Sequence, residues 1–97
     1  MPQTVTVVHH AHITLALNDL CTINITGRSA QRNLLVKCSG PGVAWLSLNA
    51  AQNATVGNAG CFALKTGESV TFLGFRDSVL TMNADTASTI VDLALTG

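Results

Sequence analysis

The chain has 97 residues and a mass of 10.1 kDa, and its five basic and five acidic residues leave it without net charge at pH 7. Charged residues make up 10% of the sequence, against about 25% in an ordinary soluble domain. No apolar run exceeds four residues, whereas a membrane-spanning helix needs about 20. Nucleic-acid binding calls for a basic surface, which this composition does not supply. We therefore expect a single domain, residues 1–97, with neither nucleic acid nor membrane as a partner.

Uncharged side chains fill most of the polar positions: threonine, serine, asparagine and glutamine together number 28. Net charge keeps dissolved monomers apart, so a surface this weakly charged suits an isolated molecule poorly. We therefore expect much of the surface to be covered by other protein. The N-terminus shows no basic segment followed by an apolar one, so we also expect no cleaved secretory leader.

Apolar and polar residues alternate from Thr4 to Thr26, which is typical of half-buried strands. Asn18 and Asp19 interrupt the alternation and predict a tight hairpin turn, because both residue types tolerate positive φ. The first residues, Met1–Val8, form a possible extended arm whose backbone could add a strand to a partner's sheet. The arm residues that we expect to contact a partner are Thr4, Val5, Thr6 and Val7.

Further short strands are predicted along the rest of the chain, with turn residues between them. These strands are Arg32–Cys38 (with Leu34, Val36 and Cys38 inward), Val43–Leu48, Cys61–Leu64, Glu68–Leu73, Ser78–Asn83 and Thr89–Thr96. The turn Lys65–Gly67 predicts a hairpin between its flanking strands, because glycine can take the left-handed conformation. A helix is the alternative over Asp85–Leu95. We predict an all-β fold, a single-domain β-sandwich of jelly-roll type with eight or nine short antiparallel strands.

The longest predicted loop, Asn49–Gly60, consists of small and polar residues and is long enough to reach a partner. Four basic residues could form salt bridges to an acidic partner surface, although ordinary solvated charges are the alternative: Arg28, Arg32, Lys37 and Arg76. The candidate contact residues from the loop and this basic set are Asn53, Thr55, Asn58, Arg28 and Arg32.

Three histidines, His9, His10 and His12, form a polar cluster near the N-terminus. Residues two apart on a strand share a face, so His10 and His12 could bind one metal ion. The pair is similar to the cupin metal motif, which implies a metal-binding enzyme. The upstream glycine and the following glutamate of that motif are missing, because Glu68 is the first glutamate of the chain. We therefore predict two exposed or interface histidines, a partly packed His9 and no cofactor, with the cupin-like enzyme as an alternative.

The three cysteines, Cys21, Cys38 and Cys61, are predicted to be reduced thiols that pack as small apolar side chains. A disulfide between two of them is the alternative. Trp45 is flanked by Val43, Ala44 and Leu46 and is predicted to pack in the core. A carbohydrate-binding module that uses Trp45 is a further alternative function.

The second half of the chain carries an ordered series of segments: the polar loop Ala50–Thr55, then Gly60–Leu64, Lys65–Phe72, Val79–Ala87 and a closing strand, Thr89–Leu95. This series resembles a recurring pattern in small virion proteins of tailed phages. It is most like the capsid decoration (cement) proteins, and some neck or head-fibre proteins share it. The resemblance implies a compact β-domain without catalytic residues.

The resemblance also implies a function: a non-enzymatic structural protein that binds the outside of a phage capsid and stabilises the lattice. Its implied partners are the major capsid protein and copies of itself, as a homotrimer. Its implied location is the capsid exterior of the virion, after synthesis in the host cytoplasm. A protein that binds the assembled lattice but not the dispersed subunits stabilises the lattice by its own binding free energy. A head–tail connector or tail component of a phage is the nearest alternative.

Overall fold

The computed structural model describes residues 3–26, 32–48, 53–58, 60–75 and 79–96, with only the backbone of Arg32. These residues form nine strands and no helix, so the all-β prediction is confirmed for them. The described residues accordingly include no helix that could span a membrane. The strands are β1 (Gln3–Val7), β2 (His10–Leu15), β3 (Cys21–Ile25), β4 (Arg32–Gly40), β5 (Ala44–Ser47), β6 (Phe62–Leu64), β7 (Ser69–Phe75), β8 (Val79–Ala84) and β9 (Thr89–Thr96).

The strands form two sheets. The five-stranded sheet has the order β1-β3-β8-β5-β6, and the four-stranded sheet has the order β2-β9-β4-β7. Apart from β1, which runs parallel to β3, the paired strands are antiparallel. The inner faces of both sheets supply one cluster of buried apolar side chains. The arrangement is therefore sandwich-like.

Four antiparallel pairs follow one another along a folded two-stranded ribbon: β2 with β9, β3 with β8, β4 with β7, and β5 with β6. Only the last pair joins consecutive strands. Folding of this ribbon also pairs β9 with β4 and β8 with β5. The predicted hairpins at Asn18–Asp19 and Lys65–Gly67 are wrong, because each of these turns leads from one sheet to the other. The predicted turn conformations are nevertheless present, since φ is 55° at Asn18 and 86° at Gly67.

The core follows the alternation of the sequence. The predicted inward residues of β4, which are Leu34, Val36 and Cys38, are each 0% exposed. The helix alternative for Asp85–Leu95 is wrong, because β9 occupies most of that segment and its burial alternates with a period of two. Long-range packing against β2 and β4 holds this segment extended.

Trp45 is not a core residue, contrary to the prediction. Its neighbours Ala44 and Leu46 are buried between the sheets, so the alternation of β5 turns Trp45 to the opposite face, where it is half-buried. Trp45 lies in a short unbroken apolar run, so no alternation of apolar and polar residues shows whether its odd-numbered or even-numbered positions face inward.

The predicted N-terminal arm forms β1 over residues 3–7, at one edge of the chain's own five-stranded sheet. The Gln3 N–H donates to the Leu20 carbonyl at 2.9 Å, and the Thr26 N–H donates to the Val7 carbonyl at 2.9 Å. Val7 is completely buried in the core. These residues are therefore part of the fold, and additional pairing with a partner's sheet stays a prediction.

Candidate functional site

The charged residues of the strands all lie in one sheet. The strands of the five-stranded sheet contain no Asp, Glu, Lys or Arg, whereas those of the four-stranded sheet contain Arg32, Lys37 and Asp92. We call the outer side of the five-stranded sheet the neutral face. Its side chains belong to Thr4, Thr6, Thr22, Asn24, Trp45, Ser47, Ala63, Val79, Thr81 and Asn83.

A row of hydroxyl groups crosses the neutral face. The strand register places Thr4 beside Thr22, Thr22 beside Thr81, and Thr81 beside Ser47. Register partners in a sheet project to the same side, so these four side chains form one row over four strands. The neutral face is thus uncharged but rich in hydrogen-bonding groups.

The segment 53–58 covers part of this row. The Ala54 N–H donates to Thr81 Oγ1 at 2.9 Å, and Asn83 Nδ2 donates to the Ala54 carbonyl at 3.3 Å. Ala54, Thr81 and Asn83 are all less than 9% exposed. The covered part lies over β8. We call the side chains on β1 and β3 the open half of the neutral face: Thr4 and Thr6, which are exposed, and Thr22 and Asn24, which are half-buried.

The predicted contact residues of the long loop differ in exposure. Asn53 and Thr55 are exposed, whereas Asn58 is half-buried. The Asn58 Oδ1 accepts the Gly60 N–H at 2.7 Å, and Thr55 Oγ1 donates to the Asn53 carbonyl at 3.3 Å. Some of the hydrogen-bonding groups of these side chains are therefore already paired within the loop itself.

Two further predicted contacts are arginines, Arg28 and Arg32. Arg28 lies outside the described residues, and only the backbone of Arg32 is described, as the first residue of β4 in the other sheet. Contact through either guanidinium stays a prediction.

The side chains of the predicted arm residues differ in burial. Val7 is fully buried and Val5 packs against the core, so neither side chain offers a contact surface, while Thr4 and Thr6 are exposed. The Gln3 N–H and the Val7 carbonyl bond towards β3. Because these groups alternate along a strand, the N–H and C=O of Thr4 and Thr6 face the open edge of β1. The two threonines therefore present both hydroxyls and unpaired backbone groups.

The histidines lie on the outer side of the four-stranded sheet or just before it. His10 and His12 are exposed, as predicted, but His9 is exposed as well, which contradicts the expected packing. His12 Nδ1 hydrogen-bonds the carboxylate of its cross-strand neighbour Asp92. No group of three His, Cys, Asp or Glu side chains among the described residues could hold a metal ion.

All three cysteines are free thiols in this structure. Cys21 and Cys38 are buried, and Cys61 is half-buried. Burial raises the pKa of the Cys21 thiol to about 11. Since the thiolate is the reactive form, Cys21 is chemically protected in the folded state.

Trp45 lies beside Asn83 and Ala63 on the neutral face. Its indole Nε1 is buried and has no hydrogen-bond acceptor among the residues that the structure describes. A sugar stacks on an open ring face, and the Trp45 side chain is half-buried, so this arrangement suits carbohydrate stacking poorly.

Sequence reasoning missed the apolar edge at β7. Leu73 is 79% exposed there, and Phe62 on the neighbouring sheet edge is 44% exposed. The available signal is the uncharged run Ser69–Phe75, most of which lies in the strand Glu68–Leu73 that the sequence predicts as half of a hairpin.

No protein family model, no curated protein and no solved structure matches this chain. The functional argument accordingly rests on the neutral face, the strand edges and the polar side chains just described.

Proposed function

We propose that this chain is a non-enzymatic structural protein of a phage virion, which binds the outside of the capsid and stabilises the lattice. The observation that carries the proposal is the separation of charge between the sheets: three charged residues in the four-stranded sheet and none in the other. Burying an ion against another protein carries a large desolvation penalty. A sheet face that bears only hydroxyl, amide and apolar groups avoids this penalty, so the neutral face is suited to lie against protein.

The contact region in this proposal is the open half of the neutral face together with the free edge of β1. Thr4 and Thr6 belong to both, with exposed side chains and outward backbone groups. A strand of the capsid protein would pair with β1 by backbone hydrogen bonds, while the threonine hydroxyls contact the surface beside it. Repetition over many equivalent lattice sites makes even a weak single contact effective.

The finer fold class that we propose is the jelly roll. The ribbon of four antiparallel pairs, folded into the orders β2-β9-β4-β7 and β3-β8-β5-β6, supports it, with β1 added beside β3. Jelly rolls occur in virion proteins and also in lectins and cupins. The fold class alone therefore does not select the function, and the surface must do so.

The alternatives fit the surface less well. A cupin-like enzyme would use His10 and His12, which project from the exposed side of an edge strand, where one of them pairs with Asp92. A carbohydrate-binding module would use Trp45, whose N–H is buried. A connector or tail component would use the same neutral face, and only the particle that it binds distinguishes it. The homotrimer that the resemblance implies concerns three-fold sites of the shell, and it stays a prediction for the capsid-bound chain.

The first test is genomic and biochemical. We expect a major capsid protein gene beside the gene for this chain, and metabolic genes in its place would contradict the proposal. Particles assembled from that capsid protein should co-sediment with the chain. Stoichiometric zinc, iron or manganese that is lost in a His10→Ala/His12→Ala double variant would favour the enzyme instead.

The contact region is tested by Thr6→Lys, which places a charge on the open half of the neutral face without touching the core. We expect the affinity for the particles to fall at least tenfold. The matched control is Thr14→Lys, an exposed threonine on β2 at the edge of the other sheet, and it should bind like the unmodified chain. Equal binding by both variants would exclude this face as the contact.

A further inference from the structure

A second strand edge is open on the opposite sheet. β7 is the last strand of the four-stranded sheet, and no strand of the described chain pairs with its outer side. The Cys38 N–H donates to the Glu68 carbonyl at 2.9 Å, and the Gly74 N–H donates to Asn33 Oδ1 at 3.1 Å. Even-numbered positions of β7 therefore bond towards β4. By alternation, the N–H and C=O of Ser69, Thr71 and Leu73 face the open edge.

This edge lacks most of the usual protection, although an irregularity in its pairing with β4 follows Phe72. Natural edge strands avoid pairing by being short or by carrying proline, a bulge or a charged residue. β7 has seven residues, Ser69–Phe75, and contains neither a charge nor a proline. Its pairing with β4 is regular up to Phe72, and Gly74, with a φ of 65°, leaves the extended conformation. The residues before Gly74, Ser69–Leu73, thus remain available for pairing.

The edge carries an apolar side chain on each side of the strand, although Ser69 and Thr71 accompany Leu73 on the outer side. Leu73 is 79% exposed on the outer side. On the inner side the half-buried Phe72 contacts Phe62 edge-to-face, with ring centroids 5.7 Å apart, and Phe62 is itself 44% exposed. A strand that pairs here meets Leu73 on one side and the Phe72–Phe62 pair on the other, so it should be uncharged and carry at least one apolar side chain on each side.

Among the edge strands that the structure describes, β7 meets this requirement, with Val70 and Phe72 on its inner side and Leu73 on its outer side. β1 has only threonines on its outer side, β2 presents histidines, and β6 has only three residues. We infer that β7 pairs antiparallel with β7 of a second copy of this chain, about a two-fold axis at Thr71. The two four-stranded sheets then join into one continuous sheet, and the contact is self-complementary, as a two-fold interface requires.

The register follows from the regular part of the strand. With Thr71 on the axis, Ser69 lies opposite Leu73 of the second copy, and Val70 lies opposite Phe72 of the second copy. Aromatic side chains opposite β-branched ones, and threonine opposite threonine, are among the favourable cross-strand pairs. In the same register, backbone hydrogen bonds join the outward N–H and C=O groups of the two copies, which belong to Ser69, Thr71 and Leu73. This contact leaves the neutral face on the other sheet uncovered.

Sedimentation equilibrium tests the contact. Thr71→Lys places two ammonium groups opposite each other across the axis, and like charges directly opposite are destabilising. The unmodified chain and the control Thr14→Lys should sediment as dimers. Thr71→Lys should weaken dimerisation at least tenfold and keep the circular dichroism spectrum of the unmodified chain, since Thr71 is exposed.

A second variant gives an answer even if the lysine perturbs folding. The Cα atoms of a hydrogen-bonded antiparallel pair lie about 5.5 Å apart, within the range that a disulfide spans. Thr71→Cys should therefore form a covalent dimer on mild oxidation, and Thr14→Cys should not. A monomer or a trimer of the unmodified chain, a dimer that Thr71→Lys leaves intact, or equal cross-linking of the two cysteine variants would overturn the inference.

Discussion

At the scale of single residues, burial rather than charge sets the chemistry of this chain. Cys21 is 0% exposed, and its thiol has a pKa of about 11 against an ordinary value of 9.0, because burial disfavours the thiolate. His12 and Asp92 form a side-chain hydrogen bond, and these side chains are 66% and 43% exposed. Such an exposed pair contributes little to stability.

The raised pKa of Cys21 predicts how stability depends on pH. The unfolded chain loses the thiol proton near pH 9, whereas the folded chain keeps it until about pH 11. The contribution of this group is therefore complete below pH 9 and declines as the pH rises towards 11, by on the order of 2 kcal/mol. Urea unfolding over this range should show a steeper decline for the unmodified chain than for Cys21→Ala. Parallel curves would contradict the assignment to Cys21.

At the scale of elements, the docking of segment 53–58 on β8 decides how much of the neutral face is open. Two hydrogen bonds join Ala54 to Thr81 and Asn83, and all three residues are buried. A buried N–H that loses its acceptor costs more than the hydrogen bond itself contributes to stability. The segment is thus held by polar contacts that tolerate little substitution.

Thr81→Val tests this docking because it removes the acceptor of the Ala54 N–H and keeps the shape of the side chain. We expect it to lower the free energy of unfolding by about 1–3 kcal/mol, as measured by chemical denaturation. Thr4→Val, at an exposed position in the same hydroxyl row, is the matched control and should change stability by less than about 0.5 kcal/mol. A similar small effect at both positions would mean that the segment is not held by Thr81.

At the scale of the whole molecule, the first strand has two roles. It closes the core through Val5 and Val7, and it presents an open edge through Thr4 and Thr6. Its parallel pairing with β3 means that the chain reverses twice before the two strands meet. Truncation of this strand would therefore remove both a part of the core and the proposed capsid contact, so a loss of capsid binding after truncation would not separate the two roles.

Deletion of residues 1–7 should make the fold less stable. The deletion removes the completely buried Val7 and the packed Val5, and full burial of one valine contributes about 1.5 kcal/mol or more. Thermal unfolding should show a clearly lower midpoint for the truncated chain, whereas Thr6→Lys should unfold near the temperature of the unmodified chain. An unchanged midpoint after truncation would mean that β1 is not part of the core.

The sequence by itself determined the local features of this protein. Alternation identified the strands and the inward residues of β4, and residue type identified the positive φ values at Asn18 and Gly67. The low charge was also evident, and with it the expectation of a surface that meets other protein. These features depend only on neighbouring residues, whose period and conformational preferences can be read directly.

Only the tertiary structure decided which strands pair and which faces are open. A turn sequence fixes φ but not whether the strands on either side bond to each other, and here both predicted hairpins lead from one sheet to the other. Three features follow from pairings between strands far apart in sequence: the side that Trp45 faces, the location of all charged strand residues in one sheet, and the open edge at β7. Pairing is selected by the burial of whole sheet faces, which no local window of sequence contains.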